Sequence, residues 1–202
     1  MSEKSIRKNN ILRRIAATLI AVFWLTFVAA LAFFVAEKRL YPLLYEQEVA
    51  EVSERYGIEP AVILAIVKTE SGFDRAAVSA KGAIGLMQLK SDTYEVDIAA
   101  NLGLAEGAEA LFDAEFNVMC GAYYLHWLDW RVDGITTIAA AYHDGIGTVR
   151  GWLSDTDKFP DGKLTYDDIP SEIVKHYLDK IFAFYEKSVL LDGKDETYPF
   201  DK

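Results

Sequence analysis

From Ile15 to Ala36 the chain runs for 22 residues without a charge, and the stretch is dominated by Ala, Leu, Val, Ile and Phe. At about 1.5 Å of rise per residue, such a helix covers the ~30 Å hydrocarbon core of a bilayer. A cleaved signal peptide is the competing reading, because Ala30-Leu31-Ala32 resembles a cleavage tripeptide. The apolar run continues through Phe33-Phe34-Val35, beyond the ~7–15 residues of a signal core, so an uncleaved anchor is expected. Lys4, Arg7, Lys8, Arg13 and Arg14 precede it against the single acid Glu3, and only Lys38 and Arg39 follow closely. The positive-inside rule then puts the N-terminus in the cytoplasm and the rest of the chain outside, crossing the membrane once. The expected divisions are a basic tail (1–14), a spanning helix (15–36), a membrane-proximal linker and helix (37–58), a main domain (59–190) and a polar tail (191–202).

Composition narrows what the outer part can bind. The whole chain of 202 residues has a formal charge of −10, but residues 37–202 hold 30 acidic and 16 basic residues, a balance of −14. Phosphate recognition needs a basic surface, so nucleic acid is excluded as a partner, while a glycan, read through hydroxyls and acetamides, is not. The single cysteine, Cys120, allows no intramolecular disulfide, and its neighbours Val118, Met119 and Ala122 mark it as a buried small hydrophobe. The three histidines, His126, His143 and His176, lack metal-ligand spacing, and no phosphate loop or nucleophile elbow is present. Neither a metal nor a cofactor is expected.

Helical signals fill the rest. Val49, Val52 and Tyr56, preceded by Leu43 and Leu44, alternate with glutamates at helical spacing and stop at Gly57. Pro60 opens the run Ala61-Val62-Ile63-Leu64-Ala65-Ile66-Val67, which is apolar on every side and reads as a central core helix. Further helices are expected over 84–103, with Ser91-Asp92-Thr93 as a cap, and over 114–131, 136–142, 146–153 and 170–190, separated by the turn Asp133-Gly134 and a loop at 154–168. No stretch shows sustained strand alternation, and the fold class is all-α.

The chemistry concentrates at the end of the core helix. Glu70 lies in its last turn, before Ser71-Gly72 as the stop. There a carboxylate meets the negative end of the helix dipole and desolvating apolar surface, and both raise its pKa toward that of a general acid working near neutrality. Gly82 and Gly85 allow close backbone approach to that carboxyl or to a ligand. Asp74 and Asp92 are near in sequence, but no spacing pairs either with Glu70, and Asp74 reads as a turn residue. A mechanism with one carboxylate is the economical reading.

The string from Glu70 to Gln88, with Glu70-Ser71, Ala77-Val78-Ser79 and Gly82-Ala83-Ile84-Gly85-Leu86-Met87-Gln88, closely resembles the signature of the soluble lytic transglycosylases. The resemblance covers about residues 41–187 and implies a lysozyme-like helical domain of the goose-type/lytic transglycosylase kind. It implies cleavage of the β-1,4 bond between N-acetylmuramic acid and N-acetylglucosamine in peptidoglycan strands without water. One glutamate, here Glu70, protonates the leaving oxygen and then takes the proton of the muramyl C6 hydroxyl, which closes on C1 as a 1,6-anhydro ring. The same resemblance assigns Ser71, Ser79, Met87, Gln88, Tyr142, His143 and Tyr177 to substrate binding. Asn117, Gly121 and Leu125 match a family helix that buttresses the cleft.

Departures from the family pattern bear on substrate preference. His143 replaces an asparagine and Asp144 a small residue, Arg75 and Ser91 stand where prolines are usual, and Ile173 occupies a glutamate position, with Glu172 one place off. The expected protein is therefore a single-pass enzyme of the bacterial cell membrane whose partners are peptidoglycan strands and the bilayer. Two rivals remain: a goose-type lysozyme-like hydrolase, and a catalytically weak wall-binding or scaffold module in a cell-wall assembly complex.

Overall fold

Six consecutive apolar residues can be buried together only if every face of their helix is covered. In the computed structural model, Val62 to Val67 are all buried in helix α3 (Pro60–Ser71). The structure describes residues 3–40, 45–192 and 199–200, with side chains for 12–33, 45–189 and 199–200. The anticipated positions Leu43 and Leu44 and the tail residues 193–198 lie outside them.

The chain forms two units, residues 1–42 and 43–202. The first contains α1 (Glu3–Leu40), in which Leu12–Phe33 is long and apolar enough to cross a membrane. The second is helical, with isolated β-bridges but no strand among the described residues. α2 (Glu46–Tyr56) ends at Gly57, whose φ of 71° is the left-handed stop read from the sequence. α3 follows, then an irregular segment to Lys90. A continuous helical stretch begins with α4 (Ser91–Thr93), widens into a π-turn over Tyr94–Ala99 and closes as α5 (Ala100–Leu102). α6 (Ala114–Asp129), α7 (Ile135–Asp144), α8 (Ile146–Trp152) and α9 (Glu172–Asp192) complete the unit.

α3 sits at the centre, with α9 packed along it and α2 and α6 paired beside it. Phe73, just past the end of α3, packs its ring 6.1 Å from Phe184 of α9, and the Tyr185 hydroxyl donates to Glu59 Oε1 at 2.7 Å, tying α9 to the start of α3. Cys120 is fully buried, and burial pushes its thiol pKa up to about 12. Phe200, within the tail expected to be polar, is buried 4.6 Å from the Phe182 ring.

The helix expected over 84–103 begins seven residues late. Residues 84–90 instead belong to a small folded-back ribbon in which Ile84 bridges both Val78 and Leu89. Apolar spacing alone suits a helix here, but Gly85 at φ 78° and Gln88 at φ 50° interrupt it. The ribbon is fixed from α6 by Asn117, fully buried, whose Oδ1 accepts from Met87 N–H at 2.8 Å. Its Nδ2 donates to the carbonyls of Ile84 at 3.0 Å and Leu111 at 2.8 Å. Three hydrogen bonds thereby satisfy both polar groups of one buried side chain, and the site's loop is built against α6.

Candidate active site

Glu70 reaches the site because α3 delivers it from a fully packed core and Gly72, at φ 63°, turns the chain away immediately after. Its carboxyl lines a cavity of about 350 Å³ together with Ser79, Gln88, Tyr142 and His143, which were expected there. Lys81, Lys90, Tyr124 and Asp144 also line it. Burial raises the Glu70 pKa from 4.5 to about 7, and a smaller opposing effect comes from the Tyr177 hydroxyl. That hydroxyl is buried and lies close enough to favour the charged carboxylate, yet no partner meets full hydrogen-bond geometry in the resting site. A donor held ready for a charge that has not yet formed is what an acid that becomes a base requires.

Tyr142 donates to the Met87 carbonyl at 2.8 Å, locking α7 to the ribbon across the cavity. Burial and the neighbouring Glu70 raise the pKa of Tyr142 and Tyr177 well above 10, so both phenols remain donors. His143 stands 4.4 Å from the Tyr177 ring. Burial lowers its pKa below 6.5, Lys81, Lys90 and Lys180 act in the same direction, and Asp144 opposes them. The imidazole is thus neutral near pH 7 and able both to donate and to accept.

The ribbon positions the remaining polar groups. Ser79 Oγ accepts from Ala83 N–H at 3.0 Å, closing the turn that carries Lys81. Gln88 adopts φ 50°, an unusual value for a residue with a side chain, and its Nε2 donates to the carbonyls of Ala77 at 3.1 Å and Gly85 at 3.0 Å. With its nitrogen engaged, the amide offers a ligand its oxygen.

Three expected binding residues lie outside the cavity lining: Tyr177 is buried and acts on Glu70, and Met87 and Ser71 are placed elsewhere. Met87 is fully buried with its side chain against Gly121 of α6, because Gly121 leaves the space its thioether fills; it supports the ribbon from behind. Ser71 turns its hydroxyl back onto the Val67 carbonyl at 3.1 Å and lies outside the cavity lining. Gly85 serves close approach to Asn117 and the Leu111 carbonyl. Asp74 caps its own turn, accepting from Ala76 N–H at 2.9 Å. Sequence reasoning missed Tyr124 of α6 and also Lys81 and Lys90, whose placement depends on a fold-back that no local pattern signals. Tyr124 projects from α6 and packs 5.5 Å from the Tyr142 ring.

Among the described residues no group of three or more His, Cys, Asp or Glu could hold a metal.

The sequence and the all-α fold of this domain both have counterparts among known proteins. Residues 47–164 match the family model described as the transglycosylase SLT domain, more than half of the chain. The chain belongs to that family. A membrane-bound lytic murein transglycosylase C of Actinobacillus pleuropneumoniae serotype 5b (strain L20) is 34% identical over 161 residues, covering 69% of this chain and 44% of that protein. A protein of the same name from Pectobacterium atrosepticum is 38% identical over 121 residues, covering 54% of this chain and 34% of that one. The chain therefore spans less than half the length of these relatives. The fold matches the 70 kDa soluble lytic transglycosylase of Escherichia coli with a TM-score of 0.69 at 23% identity, over 78% of this chain and 26% of that one. An inactive mutant of the lytic transglycosylase Slt from Pseudomonas aeruginosa gives 0.68 at 24% identity, over 80% and 26%. The lysozyme-like helical fold expected from the sequence is the fold observed.

Proposed function

We propose that this protein is a membrane-anchored peptidoglycan lytic transglycosylase in which Glu70 acts first as acid and then as base. The observation that carries the reading is the Glu70 carboxyl, lining a cavity with its pKa raised to about 7, so that both protonation states are accessible at neutral pH. Protonated Glu70 gives its proton to the oxygen between the muramyl and glucosaminyl units as that bond to C1 breaks. The resulting carboxylate, favoured by the Tyr177 hydroxyl, takes the proton of the muramyl C6 hydroxyl, whose oxygen bonds to C1. The enzyme returns to its starting state, and the strand ends in a 1,6-anhydro ring. Gln88 Oε1 and the neutral His143 are suited to sugar hydroxyls and acetamides.

The N-terminal helix and the basic residues before it support a single crossing with the N-terminus inside, and the relatives named membrane-bound are in keeping with an association with the membrane. Tethering would hold the domain at high local concentration beside the wall.

A hydrolytic reading has one feature in its favour: Asp144 is a second carboxylate lining the cavity, and a water-activating base is what a lysozyme-like reaction needs. Mass spectrometry of the products from purified glycan strands, using the full chain beside Glu70→Gln, separates the two. Anhydromuramyl ends that disappear in the variant are expected. Reducing ends would establish hydrolysis, and strand binding without cleavage would leave a scaffold module.

A further inference from the structure

The domain holds 30 acidic and 16 basic residues. Among the described residues, Lys158 pairs with Asp168 at 3.3 Å and Lys175 with Glu172 at 3.9 Å, while Lys68, Lys163 and Lys180 are in no ion pair and lie outside the cavity lining. Lys81 and Lys90 line the cavity instead, and neither forms an ion pair among the described residues. The backbone accounts for their placement. Lys81 stands in the turn closed by Gly82 N–H donating to the Ser79 carbonyl at 2.9 Å, between the bridged residues Val78 and Ile84. Lys90 directly follows Leu89, which bridges Ile84 on the third segment of the same ribbon. One lysine therefore stands at the ribbon's first turn and one at its exit, and both act electrostatically on His143 at the end of α7.

The acidic groups lining the same cavity are Glu70 and Asp144. With Glu70 protonated, as proton donation to the glycan requires, the lining holds two cations against one anion. Such a balance inverts the sign of the domain as a whole.

We infer that Lys81 and Lys90 form a carboxylate-recognition subsite that selects glycan strands bearing free carboxylates over neutral ones. The inference rests on the glycan-cleaving reading above and adds the substrate class. Two sources present this chemistry: the lactyl carboxyl of an unsubstituted muramyl unit, and the carboxylates of a peptide attached there. A lysine ammonium suits either, since it acts as a point charge without a fixed fork geometry.

The test uses the full chain in detergent micelles, as wild type, Lys81→Met, Lys90→Met and the double variant. Three substrates are compared: peptide-bearing strands, peptide-stripped strands with a free lactyl carboxyl, and stripped strands whose lactyl carboxyl is converted to a methylamide. An exposed ion pair contributes up to about five-fold, so the double variant should raise KM about ten-fold on carboxylate-bearing strands with little change in kcat. The methylamide strands should be handled alike by both proteins, and added salt should shrink the difference. Loss confined to stripped strands identifies the lactyl group, and loss confined to peptide-bearing strands identifies the peptide. An equal loss on methylamide strands, or no rise in KM on any strand, overturns the subsite. Lys163→Met, at an exposed lysine outside the cavity lining, should match wild type throughout. Should the wild type cleave no strand, the catalytic reading fails by itself. Calorimetric binding of the same strands to Glu70→Gln, with and without the lysine changes, then decides the subsite by the same carboxylate dependence: its presence upholds the subsite and its absence overturns it.

Discussion

Replacing Glu70 by Gln should abolish strand cleavage and at the same time stabilise the fold at alkaline pH. The folded-state pKa is raised from 4.5 to about 7, so between these values the folded chain holds a proton that the unfolded chain releases. Stability contributed by this group is therefore present below the unfolded value and lost as pH rises through the folded one. A difference of roughly 2.5 units at about 1.36 kcal/mol per unit sets an upper bound of about 3 kcal/mol. Glutamine carries no such titration, so the stability of the variant relative to wild type should grow by about 2 kcal/mol between pH 5 and pH 8.5. For a domain of this size that corresponds to roughly 4–8 °C in Tm. Thermal unfolding of both proteins, followed by circular dichroism in the same micelles at each pH, measures the change in the difference, in which the other titrating groups cancel. A Tm difference that does not vary with pH, or that favours wild type at pH 8.5, would refute the claim that burial of an ionisable acid dominates this site.

The acid step requires protonated Glu70, so kcat/KM should fall on an alkaline limb near pH 7, measured by the release of soluble fragments across pH. Tyr177→Phe removes the hydroxyl that favours the carboxylate; the limb should move to higher pH while Tm changes little, since that hydroxyl has no full hydrogen bond to lose. Asn117→Ala leaves the Met87 N–H and two carbonyls without their buried partner and should cost about 2–4 kcal/mol in denaturant unfolding. Gly121→Ala sets a methyl group against the Met87 thioether; a loss of about 1–3 kcal/mol is expected, with a raised KM as the ribbon is displaced.

The parts of this fold that were legible in the sequence are those governed by local physics. The buried run of α3 and its Gly72 stop, the Gly57 stop of α2 and the helix expected over 114–131 each follow from periodicity and backbone preference, and each is found close to where it was expected. The segment 84–90 was misread as helix because its apolar spacing is ambiguous; its shape is set by Asn117, 33 positions from Ile84, through bonds that no local pattern encodes. The same reason hides the cavity lysines. Glu70 was legible because the apolar helix that carries it desolvates its carboxyl, the larger cause of its raised pKa. Met87 was drawn into the binding set by its place in a contiguous motif, although a motif preserves the residues behind a wall as well as those on its face.

Cys120 has a consequence for where this domain can fold. Its sulfur is sealed inside α6, and a thiol pushed up to about 12 yields almost no thiolate at neutral pH. With no second cysteine in the chain to join it, the folded domain is indifferent to the redox poise around it. It can mature on either side of a membrane without an oxidant or a disulfide isomerase, and without a reactive sulfur to protect.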